Sequence, residues 1–107
     1  MTVEKILVLA DSQTPNELGE EVKIGWICDV EGRILTEIHK MQADKIILPS
    51  GGDGELTLPE TYARVYLLYI SAMIEFSKGN YDAFTRINAE FEKAFCMYAR
   101  YFIRHRQ

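Results

Sequence analysis

A chain of 107 residues, 48% hydrophobic and 26% charged, has room for one domain with a modest core and none for a second. Its net charge of −4 and pI near 5.1 exclude the broad positive potential that non-specific binding to nucleic acid or to an anionic membrane requires. A local basic patch is compatible with both numbers.

The opening MTVEKILVLADSQTP holds one short apolar run, Ile6 to Ala10, with no basic leader and no small-residue cleavage site. No signal peptide is expected there, and the protein should stay where it is made. Thr2 suits an N-cap, and the turn-rich ADSQTPNELG follows, which predicts a short helix over about 2–10. Between Glu20 and Met41 the residues Ile27, Val30, Ile34, Ile38 and Met41 recur at steps of three and four, predicting an amphipathic helix over 20–41. Glu31, Arg33, Glu37 and Lys40 fall on its other faces. Gly25 and Gly32 lie inside it and suggest a bend or a close backbone approach.

In DKIILPSGGDGELTLPE the apolar runs Ile46 to Leu48 and Leu56 to Leu58 flank a glycine-rich loop, so a two-stranded hairpin or an extended arm is expected over about 45–58. PSGGDG lacks the lysine and the following helix start of a phosphate-binding loop, and reads as a turn. Pro59 then opens a helix over 59–78. Tyr62, Tyr66, Tyr69, Met73 and Phe76 make one face of it, and Ala63, Leu67, Ile70 and Ile74 a second. A helix apolar on so many sides is either central to the domain or part of a subunit interface. The stretch Val65 to Ile74 is interrupted by Ser71 and falls well short of the roughly 20 apolar residues needed to cross a bilayer, so no membrane span is expected.

Lys78-Gly79-Asn80 breaks the pattern, which resumes at Tyr81 with Phe84, Ile87, Phe91, Phe95, Tyr98 and Phe102, predicting a helix over 81–104 capped by Asn80. The stripe resumes because the chain reverses. In an antiparallel pair Phe76 meets Phe84, Met73 meets Ile87, Tyr69 meets Phe91 and Tyr62 meets Tyr98. The fold class is therefore mainly α: one helical domain over 1–107 with a long antiparallel helical hairpin plus a short β-hairpin or extended arm. The helix over 20–41 should cover Leu67, Ile70 and Ile74, leaving Leu7, Ile46 and Ile47 to seal the ends or engage a neighbour.

Catalytic and metal-binding patterns are weak. His39 and His105 have no partner at metal-ligand spacing and read as surface residues. Glu17 and Glu20 have the spacing of half of the magnesium-binding carboxylate set of all-α nucleotide pyrophosphatases, but no E-x-x-D follows on a later helix. Asp29 and Glu31 read as part of a solvated acidic face. No G-x-S-x-G elbow or papain-type cysteine context is present, so no catalytic residue, cofactor or metal site is assigned. Cys28 and Cys96, without C-x-x-C spacing, read as buried reduced thiols. The basic end YARYFIRHRQ fits cations at a helix C-terminus, or contact with nucleic acid or an acidic partner.

The stretches TVEKILVLADSQTPN, KIGWICDVEGRI, ELTLPETYARVYLLYISAMIEFSKGNYDAF and INAEF together resemble small head-to-tail connector (adaptor) proteins of tailed phages and prophages of Gram-positive bacteria. The resemblance covers nearly the whole chain. It rests on Thr2, Asp11, Pro15, Asn16, Lys23, Trp26, Gly32, Leu58, Pro59, Tyr62, Tyr66, Tyr69, Gly79, Tyr81, Asn88 and Phe91, while Cys28 and Glu31 depart from its pattern. It implies a non-enzymatic subunit of a ring, often dodecameric, lying beneath the portal protein, extending the DNA channel and docking the tail or stopper. It places the protein in the virion at the head–tail junction, and in the bacterial host cytoplasm during assembly. A negative subunit suits a channel through which DNA passes without specific binding. The expected interface residues are Ile46, Ile47, Leu56, Arg100, Arg104 and Arg106. The alternative is a small cellular helical regulator that dimerises and contacts nucleic acid through its basic C-terminus, and a magnesium-dependent nucleotide hydrolase is a third class.

Overall fold

The computed structural model describes residues 1–106, and it is mainly helical. Helix α1 spans Val3–Gln13 and buries Val3, Ile6, Leu7 and Ala10. Thr2 is its N-cap, with Oγ1 accepting from the Lys5 amide at 3.3 Å. The helix runs past the expected end at residue 10 because Asp11 is used from within it. Its Oδ1 accepts from Lys23 Nζ at 2.7 Å and from the Asn16 side chain at 3.1 Å. Leu7, expected to be spare, belongs to the core.

Helix α2 spans Glu20–Arg33 and passes directly into a wider π turn over Ile34–Ile38, closed by the His39 amide donating to Ile34 O at 3.0 Å. Ile27, Val30, Ile34 and Ile38 are all buried, as the spacing required. Met41 is not, because Lys40 adopts the left-handed region at φ 59° and turns the chain out one residue earlier. Neither Gly25 nor Gly32 meets a close neighbour where a Cβ would stand, so the expected tight approach does not occur.

A 3-10 turn over Glu60–Tyr62 leads into α3, Ala63–Ser77. Its faces divide the labour at 3.6 residues per turn. Tyr66 and Ile70, both fully buried, lie on the side where Tyr66 meets Glu31 of α2. Glu60 and Ser71 meet α1, through Lys5 Nζ at 2.7 Å and Thr14 Oγ1 at 3.1 Å. Tyr62, Tyr69 and Phe76 point the opposite way, towards α4, Tyr81–His105. Thus α1 and α4 flank α3 on opposite sides, with α2 across a third.

Gly79 at φ 80° makes the reversal between α3 and α4, its amide donating to Phe76 O at 3.0 Å and the Asn80 amide to Glu75 O at 2.9 Å. This is a glycine-closed helix end. The Asn80 side chain bonds Glu75 Oε2 at 2.8 Å instead of capping α4. Across the antiparallel pair, ring centroids lie 5.1 Å apart for Phe76–Phe84, 5.1 Å for Tyr69–Phe91 and 5.3 Å for Tyr62–Tyr98.

Neither the expected β-hairpin nor an extended arm forms. Among the described residues no sheet is present, and an isolated bridge joins Thr2 to Glu55. After a 3-10 turn over Ala43–Lys45 the chain is an irregular strap that folds back onto α1. Gly54 O accepts from the Val3 amide at 2.9 Å, Gly52 O from the Glu4 amide at 2.8 Å, and Met1 O from the Leu56 amide at 2.9 Å. The groups a partner strand would use are therefore occupied by the first turn of a helix, whose free amides need acceptors. Gly54 has no room for more: a Cβ there would lie 2.6 Å from Pro49 Cβ.

Candidate functional site

The strap is fastened at its far end by a buried carboxylate. Glu31 is almost fully buried on α2, and its oxygens accept from the Thr57 amide at 3.2 and 3.3 Å, from Thr57 Oγ1 at 2.9 Å and from the Tyr66 hydroxyl. The Tyr66 oxygen in turn accepts from the Leu58 amide at 3.2 Å. Burial first, and then the adjacent Glu31, push the Tyr66 phenol far above its ordinary ionisation range, so it remains a donor. A buried carboxylate is tolerated only when its lone pairs are filled, and these are. Glu31 thus ties α2, α3 and the strap together, and the solvated acidic face expected there is corrected.

Its spacing carried the signal. Glu31 stands four residues after Ile27 and three before Ile34, on the buried stripe itself. Lys23, four before Ile27, is buried in the same way and held by Asp11, whose carboxyl the Lys23 hydrogen bond keeps below its ordinary range.

A second tie joins α2 to α4. The Arg33 guanidinium lies 4.3 Å from the Phe95 ring centroid and 5.7 Å from that of Phe91, and pairs with Glu37 at 2.9 Å and Glu92 at 3.1 Å. His39 is packed rather than superficial: Nε2 lies 2.9 Å from the Tyr98 hydroxyl, and the ring stacks on Phe102 at 4.1 Å. Burial holds its imidazole below the ordinary pKa, with Glu31 acting the other way. Cys28 is half-buried, its Sγ donating to Pro49 O at 3.2 Å, while Cys96 is exposed; the expectation of two buried thiols is corrected. Burial, then Asp29 and Glu31, raise the Cys28 pKa.

The expected interface residues separate into three places. Leu56 is 7% exposed and belongs to the chain's own core, so it is withdrawn as an interface residue: the Leu56–Met1 bond turns it inward under α1. Ile46 is half-buried, Ile47 is 92% exposed and Leu48 is also exposed, forming an apolar corner on the outgoing limb of the strap. Arg100 and Arg104 project from the outer face of α4, and Arg106 lies just beyond its end; none makes an ion pair among the described residues.

Between the α1–α2 connection and the end of α3 lies an open cleft of about 600 Å³, lined by Pro15, Asn16, Glu17, Leu18, Ile74, Ser77 and Lys78. Among the described residues no helix is long and apolar enough to cross a membrane. The surface thus carries an apolar corner, a basic helix face and an open cleft. Comparison with protein-family models, curated proteins and solved structures finds no match to this chain.

Proposed function

We propose that this protein is a structural, non-catalytic subunit of the head-to-tail connector of a tailed phage or prophage, forming a ring below the portal and docking the tail or stopper. It acts in the virion at the head–tail junction and is assembled in the host cytoplasm. The observation that carries the reading is Ile47, almost wholly exposed beside Leu48 on a strap whose other end is pinned by Glu31. A monomer that fills its core yet leaves aliphatic residues on a fixed corner has surface suited to a partner. The ring, its subunit number and the portal come from the sequence resemblance.

The test is direct mixing with portal rings and measurement of co-migrating mass. The native chain should bind. Ile47→Asp should leave the melting temperature nearly unchanged and weaken binding, because a charge in an apolar contact costs only once the contact forms. Native chain that fails to bind any cognate portal or tail component rejects the reading.

Arg100, Arg104 and Arg106, without an ion-pair partner among the described residues, support the second reading, a dimeric cellular regulator that touches nucleic acid. Salt-sensitive binding to a DNA duplex, lost in Arg100→Glu, would favour it over the connector.

A further inference from the structure

Exposed apolar side chains on the two flanks of the α1–α3–α4 layer are framed by opposite charge. On α4, Arg100 and Arg104 lie on the side opposite the buried Phe91, Phe95 and Tyr98 stripe, beside Lys93, which is paired with Glu90 at 3.8 Å. Met97 and Ile103, each 59% exposed, border them. Glu92 and Lys93 border this face at its start, and from Ala94 to Arg106 the chain has three arginines and no carboxylate.

The α1 flank is the converse. Val8, 62% exposed, shares a hollow with Glu4, Glu20 and the Asp11–Lys23 pair, which leaves the two glutamates as its unpaired charges among the described residues. From Thr2 to Val22 the chain has five carboxylates and only Lys5 before Lys23. Lys5 is bound to Glu60, and Lys23 is turned inward onto Asp11, so neither cation neutralises Glu4 or Glu20.

Like faces repel: two α4 faces would oppose cation to cation, and two α1 faces carboxylate to carboxylate. Unlike faces attract and can desolvate Val8, Met97 and Ile103 together. We propose that the outer face of α4 in one copy docks on the outer face of α1 in the next, so that the chain associates with itself head to tail. Because the faces lie on opposite flanks, each contact leaves one of each kind free, and association continues beyond a dimer until it closes or forms a filament. The proposal deepens the connector reading, on which it rests only for closure into a ring.

The experiment measures solution mass of the isolated chain against concentration, at low and high salt. The native chain should grow past dimer and lose mass as salt screens the contact. Arg100→Glu with Arg104→Glu, and separately Glu4→Lys with Glu20→Lys, should each weaken association by about a hundredfold or more, as like charges now face each other. An equimolar mixture of the two variants should restore it, because each then meets the opposite sign at both faces. Both variants are first checked by circular dichroism, and if the second fails to fold, Glu20→Lys with Val8→Lys replaces it, so that the α1 face still carries net positive charge in the mixing test. Association that stops at dimer, a native chain monomeric at every concentration, variants that associate like the native chain, or a folded pair that fails to restore it overturns the proposal. Portal binding is scored separately: variants that still bind portal while associating normally sink this contact and leave the connector reading standing, whereas head-to-tail growth without portal binding does the reverse.

Discussion

Across the α3–α4 hairpin nearly every inward residue is aromatic or aliphatic, while the strap from Ile46 to Leu58 contributes two buried leucines and is otherwise fastened by hydrogen bonds. The hairpin is held by area and shape, which tolerate small displacement. The strap is held by a few polar groups removed from water, where each loss leaves a partner unsatisfied. Perturbing each region should therefore fail in a different manner.

The largest effect is expected in the hairpin. Phe91 is buried against Tyr69 and Phe95, so Phe91→Ala should lower stability by about 3–5 kcal/mol through a cavity. Denaturant melts would read this as a lower midpoint with an unchanged slope. At the other extreme of chemistry, Glu31→Ala removes the shared acceptor and strands the Tyr66 hydroxyl and both Thr57 donors, costing about 2–4 kcal/mol. Its signature is local: amide exchange at Thr57 and Leu58 should accelerate before that of α4 does. Uniform acceleration would erase the distinction between the regions.

Gly54→Ala tests the strap by crowding. The added carbon would sit within van der Waals radius of Pro49, so a loss of about 1–3 kcal/mol is expected, with Val3 and Glu4 amides exchanging faster. The smallest effect is the pH response of His39. Its folded pKa lies below the ordinary 6.5 because of burial, so the unfolded chain binds its proton more readily. The stability it contributes is full above pH 6.5 and is lost as pH falls through the lower folded value. Melting temperature should decline gently over that window, and His39→Gln should flatten the decline.

The two regions also differ in how far their residues announced them. Periodicity placed α3 and α4 and paired Tyr62, Tyr69 and Phe76 with the right partners, because packing of large side chains repeats with the helix. Two apolar runs flanking a glycine-rich loop point to a hairpin or an extended arm over 45–58, but the strap's backbone pairs with α1 and its Thr57 side chain with Glu31. Such pairings join residues with no fixed spacing. Ile47, Arg100 and Arg104 were legible as surface candidates, whereas Leu56 was not distinguishable from Ile47 without knowing which limb of the strap turned inward.

The first turn of α1 draws two of its acceptors from Gly52 and Gly54, some fifty residues later in the chain. An 11-residue helix is too short to persist alone in water, and although Thr2 fills the Lys5 amide locally, the Val3 and Glu4 amides are filled only by the distant strap. The α3–α4 hairpin, by contrast, needs only a tight turn to bring its halves together. During folding the end of the sequence should therefore acquire order before the beginning, with α1 and the strap locking in one late cooperative step. Any agent that pries the strap away would release α1 with it, so the strap corner bearing Ile47 and the flank bearing Val8 should open and close in concert.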